Sequence, residues 1–299
     1  MRLRVLCAAL AATAVLPATR LEANVERRIV VFVSIAPQAY FVERVGGDRV
    51  TVETLVKPGH SPATYEPTPR QMAALSEARL FFRIGVPFEN ALIPRIAKTM
   101  ASLRIVDTRD GITLQEMKTH RHDRGADHTH AEAPARREGK DPHIWTSPRL
   151  VKQQARTIAA ALTETDPDGK DVYERHLAAF VKDLDDLDAR LSETLRPVAG
   201  KTFMVFHPSW GYFADAYGLR QEPIEIEGKE PNARPLARLM ETARAKGVKV
   251  IFVQPQFSRA KAQTVAEAIG GAVVPIDPLA RDYIRNLESV AAAVKEALQ

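Results

Sequence analysis

The strongest constraint on the fold is an alternation of strand and helix signals that occurs twice, on either side of one long helical seam. In the first run, Arg28–Ile35 reads as a buried strand, Pro37–Val45 as a helix and Val50–Val56 as a second strand. Thr68–Ala78 then reads as a helix with Thr68 as N-cap and Pro69 in its first turn. Leu80–Ile84 is a third strand, Phe88–Met100 a helix and Leu103–Asp107 a fourth strand. The second run has strands over Thr202–Phe206, Pro223–Glu227, Val248–Val253 and Ala272–Ile276. Its helices cover Ser209–Tyr217, Ala233–Lys246, Arg259–Ile269 and Arg281–Leu298. Alternation of this kind calls for parallel sheets covered by helices.

Between the runs, Pro148–Leu162 is helical and Asp166–Gly169 is a turn. Lys170–Leu195 follows with an apolar seam of Leu177, Phe180, Leu184, Leu187, Leu191 and Leu195, spaced by three and four residues. As one helix it would be about 39 Å long at 1.5 Å per residue. Pro197 and Gly200 end it. The expected architecture is α/β: two lobes, each a roughly four-stranded parallel sheet flanked by helices, over 24–165 and 200–299. One long helix over 166–199 links them. A chain of 299 residues with 45% hydrophobic content can supply both cores.

Residues 1–23 read as a secretory leader. Arg2 and Arg4 precede an apolar run, Val5–Ala18, that is too short to span a bilayer, for which ~20 residues are needed. Cleavage after Ala18 and after Ala23 both fit. Cys7, the only cysteine, lies inside this leader. The mature chain would then hold no thiol, and a metal site would have to use nitrogen and oxygen ligands. The formal charge of +5 falls to about +3 once Arg2 and Arg4 leave. The bases are scattered among acids, which argues against nucleic acid as a partner.

Six of the eight histidines fall near Asp, Pro or Gly in loops rather than on apolar faces. His60 follows the second strand, and His143 stands in Asp141–Trp145. His207 ends the fifth strand and Asp277 the last. Ligands of open parallel sheets bind beyond the carboxyl ends of strands, so these four residues are candidates to converge between the lobes. Three imidazoles and a carboxylate suit Zn²⁺ and also serve Mn²⁺ or Fe²⁺. Each residue taken singly reads as an ordinary polar group at a strand end; only the joint pattern points to metal. A polar segment, 118–140, carries His120, His122, His128 and His130. It reads as a loop favouring accessory metal binding over a merely solvated linker. His176, on the long helix, reads as a surface or packing residue, and Trp145 and Trp210 as packing residues. Tyr65, Glu66 and Tyr283 are candidates for the walls of the cleft. Glu225, Glu227 and Glu230 are possible partners for ligating imidazoles, although a solvated strand edge and turn is the plainer reading.

The motifs together resemble the metal-binding periplasmic proteins of ABC importers for zinc and manganese, the cluster A-I or TroA-like family. The matching segments span nearly all of the mature chain. They are Gly59–Pro69 (GHSPATYEPTP), Asp141–Trp145 (DPHIW), Phe206–Phe213 (FHPSWGYF), Gly228–Pro231 (GKEP), Ile251–Ser258 (IFVQPQFS) and Ile276–Leu279 (IDPL). The resemblance implies that His143 and His207 are ligands and that Asp277 is the carboxylate ligand or its neighbour, the alternative occupant being water. The family's first loop usually reads Pro-His, whereas Ala63 follows Pro62 here; His60 is expected to supply the missing imidazole. Gln254 stands where many relatives carry Glu.

The function implied is capture of Zn²⁺ and its delivery to a membrane ABC permease with its ATPase, by a periplasmic monomer that is not an enzyme. His207 and the His-rich segment favour zinc over manganese. The same role for Mn²⁺ or Fe²⁺ is the alternative. A zinc hydrolase is a more distant one, because no HExxH occurs and no Glu is placed as a general base. An adhesin role, claimed for some relatives, has no anchor or repeat behind it in this sequence.

Overall fold

The computed structural model describes residues 28–117, 139–225 and 247–299, with Ala237, Met240, Glu241, Ala243 and Arg244 between them. The leader expected over residues 1–23, His120, His122, His128, His130, Glu227, Glu230 and most of the helix expected over Ala233–Lys246 lie outside the described residues.

The first sheet contains β1 (Ile29–Val33), β2 (Val50–Thr54), β3 (Leu80–Arg83) and β4 (Arg104–Asp107), all parallel, in the order β2-β1-β3-β4. Helices α1 (Ala36–Gly46), α2 (Pro69–Ser76) and α3 (Glu89–Thr99) connect them. After α4 (Pro148–Thr165) and α5 (Lys170–Leu195), a second sheet repeats the plan. It contains β5 (Thr202–Val205), β6 (Arg220–Pro223), β7 (Val250–Val253) and β8 (Ala272–Pro275) in the order β6-β5-β7-β8, again parallel. Its helices include α6 (Gly211–Ala216), α7 (Arg259–Ala268) and α8 (Tyr283–Leu298). Each sheet therefore reverses its winding direction beside its first strand, between β1 and β3 and between β5 and β7. Crevices open at such switch points, beyond the carboxyl ends of the strands.

Local rules explain the boundaries. Strands covered on both faces must be apolar throughout, and Val31, Val33, Phe81, Phe82, Phe252 and Val253 are all buried. Helix α2 begins with a capping box: Gln71 N donates to Thr68 Oγ1 at 3.3 Å, and Thr68 N donates to Gln71 Oε1 at 3.0 Å. Helix α5 buries Tyr173, Phe180, Leu184, Leu187, Leu191 and Leu195, the expected seam with Tyr173 added, and leaves Leu177 partly covered. That face packs on α1, α4 and α8. One continuous core runs from the first sheet through α5 into the second, while a smaller cluster around Met204, Ile251 and Val265 fills the far side of the second sheet. A helix that is part of both cores resists wide hinge motion.

The turn from α4 into α5 is fixed by charge. Asp166 accepts from Arg49 Nε at 2.8 Å and Nη2 at 3.0 Å, and from Tyr173 Oη at 2.5 Å. The Arg49 guanidinium holds the Asp166 carboxyl below its ordinary range. The Tyr173 hydroxyl, removed from water, is pushed up to about 12.

Strand β6 departs from expectation. It occupies Arg220–Pro223, whereas alternation over Pro223–Glu227 suggested a later start. Pro223 closes this edge strand, where a missing N–H does no harm. The shift moves Glu225 from a strand position to just past the strand's carboxyl end.

Glu89 anchors the first switch point. Its carboxylate, fully buried at the start of α3, accepts from Ser34 Oγ at 2.6 Å, Ile84 N at 2.9 Å, Gly85 N at 2.7 Å and Arg83 Nε at 3.2 Å. It thereby ties the ends of β1 and β3 to a helix N-terminus. Gly85 has φ +86°, and a Cβ there would lie 2.2 Å from Arg109 Nη1, so the turn requires glycine. Glu89→Ala would leave buried donors without a partner and is expected to cost about 3 kcal/mol or more in urea unfolding. A loss below about 1 kcal/mol, the net worth of one ordinary hydrogen bond, would show that these contacts are incidental.

Candidate metal centre

Both switch points open onto one cleft between the lobes, a cavity of about 690 Å³. The first lobe contributes Ser61–Thr64, Gly85–Pro87, Asn90, Met117 and Gly139–Lys140; the second contributes His207–Ser209, Glu225, Gln254, Gln256 and Phe257. His143 and Trp145 form its floor with Pro278 and Leu279.

His143 comes from the segment joining the first sheet to α4, and the second lobe holds that segment in place. Tyr212 Oη on α6 donates to Asp141 O at 2.9 Å and accepts from Gln115 N at 3.0 Å. Trp145 Nε1 donates to Pro278 O at 2.7 Å. Asp141, 2% exposed, turns back on the segment: its Oδ1 accepts from His143 N at 2.9 Å and lies 2.6 Å from His143 Nδ1.

His207 is positioned by a ladder that outlives the strands. Ile224 N donates to Val205 O at 2.8 Å, Glu225 N to Phe206 O at 2.9 Å and Phe206 N to Phe252 O at 2.8 Å. The Gln254 side chain then replaces a strand partner. Its Oε1 accepts from His207 N at 3.2 Å, and its Nε2 donates to His207 O at 2.7 Å and to Ser209 Oγ at 3.0 Å. Pairing carried this far brings Glu225, 4% exposed, to 2.7 Å from His207 Nδ1. Phe257 stacks on the imidazole, with centroids 5.1 Å apart and planes at 23°.

The two imidazoles therefore share one arrangement. A carboxylate sits at each Nδ1, which fixes the proton there and leaves Nε2 as a lone-pair donor. The ring centroids are 5.3 Å apart. Two imidazoles bound to one tetrahedral ion at a Zn–N distance near 2.05 Å would place their centroids about 5.2 Å apart. The spacing thus suits a shared tetrahedral ion, and burial of Asp141 and Glu225 supplies two negative charges to balance a dication.

The other predicted residues lie differently. His60 is exposed, with Nδ1 3.3 Å from Pro58 O and its ring against Tyr65 at 5.9 Å. It lines a neighbouring cavity of about 880 Å³ with Glu53, Glu66 and Arg70. Asp277 stands behind the cleft wall: its Oδ1 accepts from Leu279 N at 2.9 Å and from Gln256 Nε2 at 3.1 Å. Ala63 does line the cleft. Among the described residues, no group of three His, Cys, Asp or Glu is assembled for a metal ion. His176 packs partly buried, with Nδ1 3.2 Å from Val45 O, and Tyr283 is buried in the core. Trp145 and Trp210 are buried, although Trp145 also closes the floor of the cleft.

Sequence reasoning missed Asp141 and Phe257 and undervalued Glu225. An Asp two residues before a candidate ligand was an available signal for Asp141, because short acidic side chains fold back on backbone two residues on. Glu225 was masked by the misplaced strand.

The family model described as zinc-uptake complex component A, periplasmic (ZnuA), matches residues 31–297. The high-affinity zinc uptake system protein ZnuA of Bacillus subtilis (strain 168) is 31% identical over 238 residues, covering 78% of this chain and 73% of that protein. The protein of the same name from Yersinia pestis is 28% identical over 274 residues, 87% of this chain and 86% of its own length. A crystal structure of ZnuA, 42% identical, superposes with a TM-score of 0.83, covering 91% of this chain and all of that one. A zinc-bound deletion mutant of ZnuA, also 42% identical, gives 0.82 over 91% of this chain. Among the described residues, no helix is long and apolar enough to cross a membrane.

Proposed function

The chain belongs to the zinc-uptake complex component A family, and from that membership we propose that it is an extracytoplasmic solute-binding protein that captures Zn²⁺ between its lobes and hands it to an ABC permease powered by its ATPase. The observation that carries the reading is the His143–His207 pair, with centroids 5.3 Å apart and a buried carboxylate at each Nδ1. That is the outer-shell support a metal-binding imidazole needs. Relatives named for zinc uptake support the choice of metal. An imidazole at position 207, where a hard carboxylate would suit Mn²⁺ better, supports it further.

Zn²⁺ is cargo here, and the protein's task is to bind and release it rather than to turn over a substrate. His143 and His207 are assigned as its ligands. His60 and Asp277 are candidates for the two remaining positions only through rearrangement of their loops, His60 by leaving the neighbouring cavity and Asp277 by releasing Gln256. His120, His122, His128 and His130 are assigned a weaker accessory role. The chain is read as a monomer whose residues 1–23 are removed on export to the periplasm. The shared core around α5 favours release by small lobe tilts or loop movement over wide opening.

Protein purified without added metal tests the reading by elemental analysis. Zinc near one per chain is expected, together with retention of zinc against excess Mn²⁺ in competition with a fluorescent chelator. Displacement of zinc by Mn²⁺ would overturn the assignment of cargo. In the same assay, His60→Ala decides whether that loop reaches the ion, because zinc content unchanged in the variant removes His60 from the ligand set.

A further inference from the structure

Two imidazoles fill half of a tetrahedral shell, and the remaining half faces a cavity much larger than an ion. We infer that the cargo enters this cleft as a chelate: Zn²⁺ already carrying a small amino-carboxylate whose nitrogen and oxygen occupy the two positions that His143 and His207 leave open. The inference rests on the zinc-binding reading and names the form of substrate that site takes.

Donor supply comes first. Asp141 and Glu225 are each committed to an imidazole Nδ1. Asp277 Oδ1 is engaged by two donors behind the wall, and His60 lines a different cavity. The wall formed by Ser61, Pro62, Ala63 and Thr64 offers no imidazole or carboxylate. Among the described residues no third ligand joins the pair. Room comes second. An ion with two waters would need little more than roughly 60 Å³, at about 30 Å³ for each water. The cleft holds about 690 Å³, within the range of small-molecule sites, roughly 300–1,000 Å³.

The lining suits an amino-carboxylate. The dication is balanced by buried Asp141 and Glu225, so a chelating carboxylate adds one uncompensated negative charge. Lys140, on the rim, carries the cation to meet it; exposed Glu116 occupies one of its donors and leaves others. Asn90 and Thr64 add exposed polar groups on the same side, while the partly exposed Phe257 offers apolar surface to the carbon skeleton. Coordination replaces two waters on zinc by the amine lone pair and a carboxylate oxygen, and the amine releases its proton to solvent.

L-histidine is the probe. Zinc retention by the full-length protein is measured against a fluorescent chelator, with zinc nitrate alone and with added L-histidine, and the complex is weighed by native mass spectrometry. A free chelator ordinarily strips zinc from a protein. Here L-histidine is expected to tighten retention at least about tenfold, the effect of joining a second contact to one already made, and the mass should correspond to protein, zinc and histidine together. Loosening in proportion to histidine's own zinc affinity, or a mass of protein and zinc only, would overturn the chelate. No zinc in either arm would instead overturn the zinc reading itself. Ala63→His, at an exposed position on the cleft wall, adds an imidazole. It is expected to strengthen binding of zinc alone and to shrink the histidine effect, and no change in either would count against the inference.

Discussion

His143→Ala and His207→Ala are each expected to weaken zinc binding by about a hundred-fold or more, since roughly 10–16 kcal/mol shared among four ligands gives each about 3 kcal/mol. Neither change should unfold the metal-free protein. His207 is only partly buried, and His143 sits in a segment already held by Tyr212 and by the Trp145–Pro278 contact. Urea unfolding measured in chelator should still lose about 1–3 kcal/mol, because either change leaves a buried carboxylate, Asp141 or Glu225, without its imidazole partner, so affinity is compared per folded molecule. Competition titration with a fluorescent chelator reads the affinity. Near-parent affinity in either variant would remove the pair from the site. Acid should act in the same direction, because an imidazole must be unprotonated to bind a metal, so zinc retention falls as pH is lowered.

The fold was largely legible because its signals are local and periodic. The seam of α5 from Phe180 to Leu195 is visible as three-and-four spacing and is buried as such. Doubly covered strands such as Ile29–Val33 and Leu80–Arg83 show as short apolar runs flanked by turn residues. β6 was misplaced because an edge strand has weak composition: in Arg220–Pro223 only Gln221 and Pro223 are buried. The site was legible in part. Histidines just beyond strand ends mark a cleft without long-range information, and His143 and His207 do face one cavity. Which loop residue turns inward is a tertiary matter. On Gly59–Thr64 the chain directs Ala63 to the cleft and His60 to its neighbour, and nothing in residue spacing foretells that orientation. Outer carboxylates are least legible, since Asp141 and Glu225 acquire their role only through the turn and the ladder that bring them to Nδ1.

Those carboxylates carry the second large effect. Glu225 is almost fully buried, 2.7 Å from His207 Nδ1. Its charge fixes the ring proton on Nδ1, leaves the lone pair on Nε2 and offsets half the charge of a bound dication. Glu225→Gln retains a carbonyl that can accept the same hydrogen bond but loses the charge. Zinc affinity should fall about tenfold, and Glu225→Ala, which also frees the ring to turn, should cost about a hundred-fold, the span seen for outer-shell partners of metal ligands. Asp141 accepts from both His143 N and Nδ1, so Asp141→Asn keeps the turn while removing the charge. Each carboxylate orients its own imidazole, so the double variant Glu225→Gln, Asp141→Asn should lose close to the product of the two single effects. A structural role alone predicts another pattern: lower unfolding midpoints with zinc affinity per folded molecule unchanged. Titration beside urea unfolding separates the two, and parent-like affinity in Glu225→Gln would reduce the 2.7 Å contact to packing.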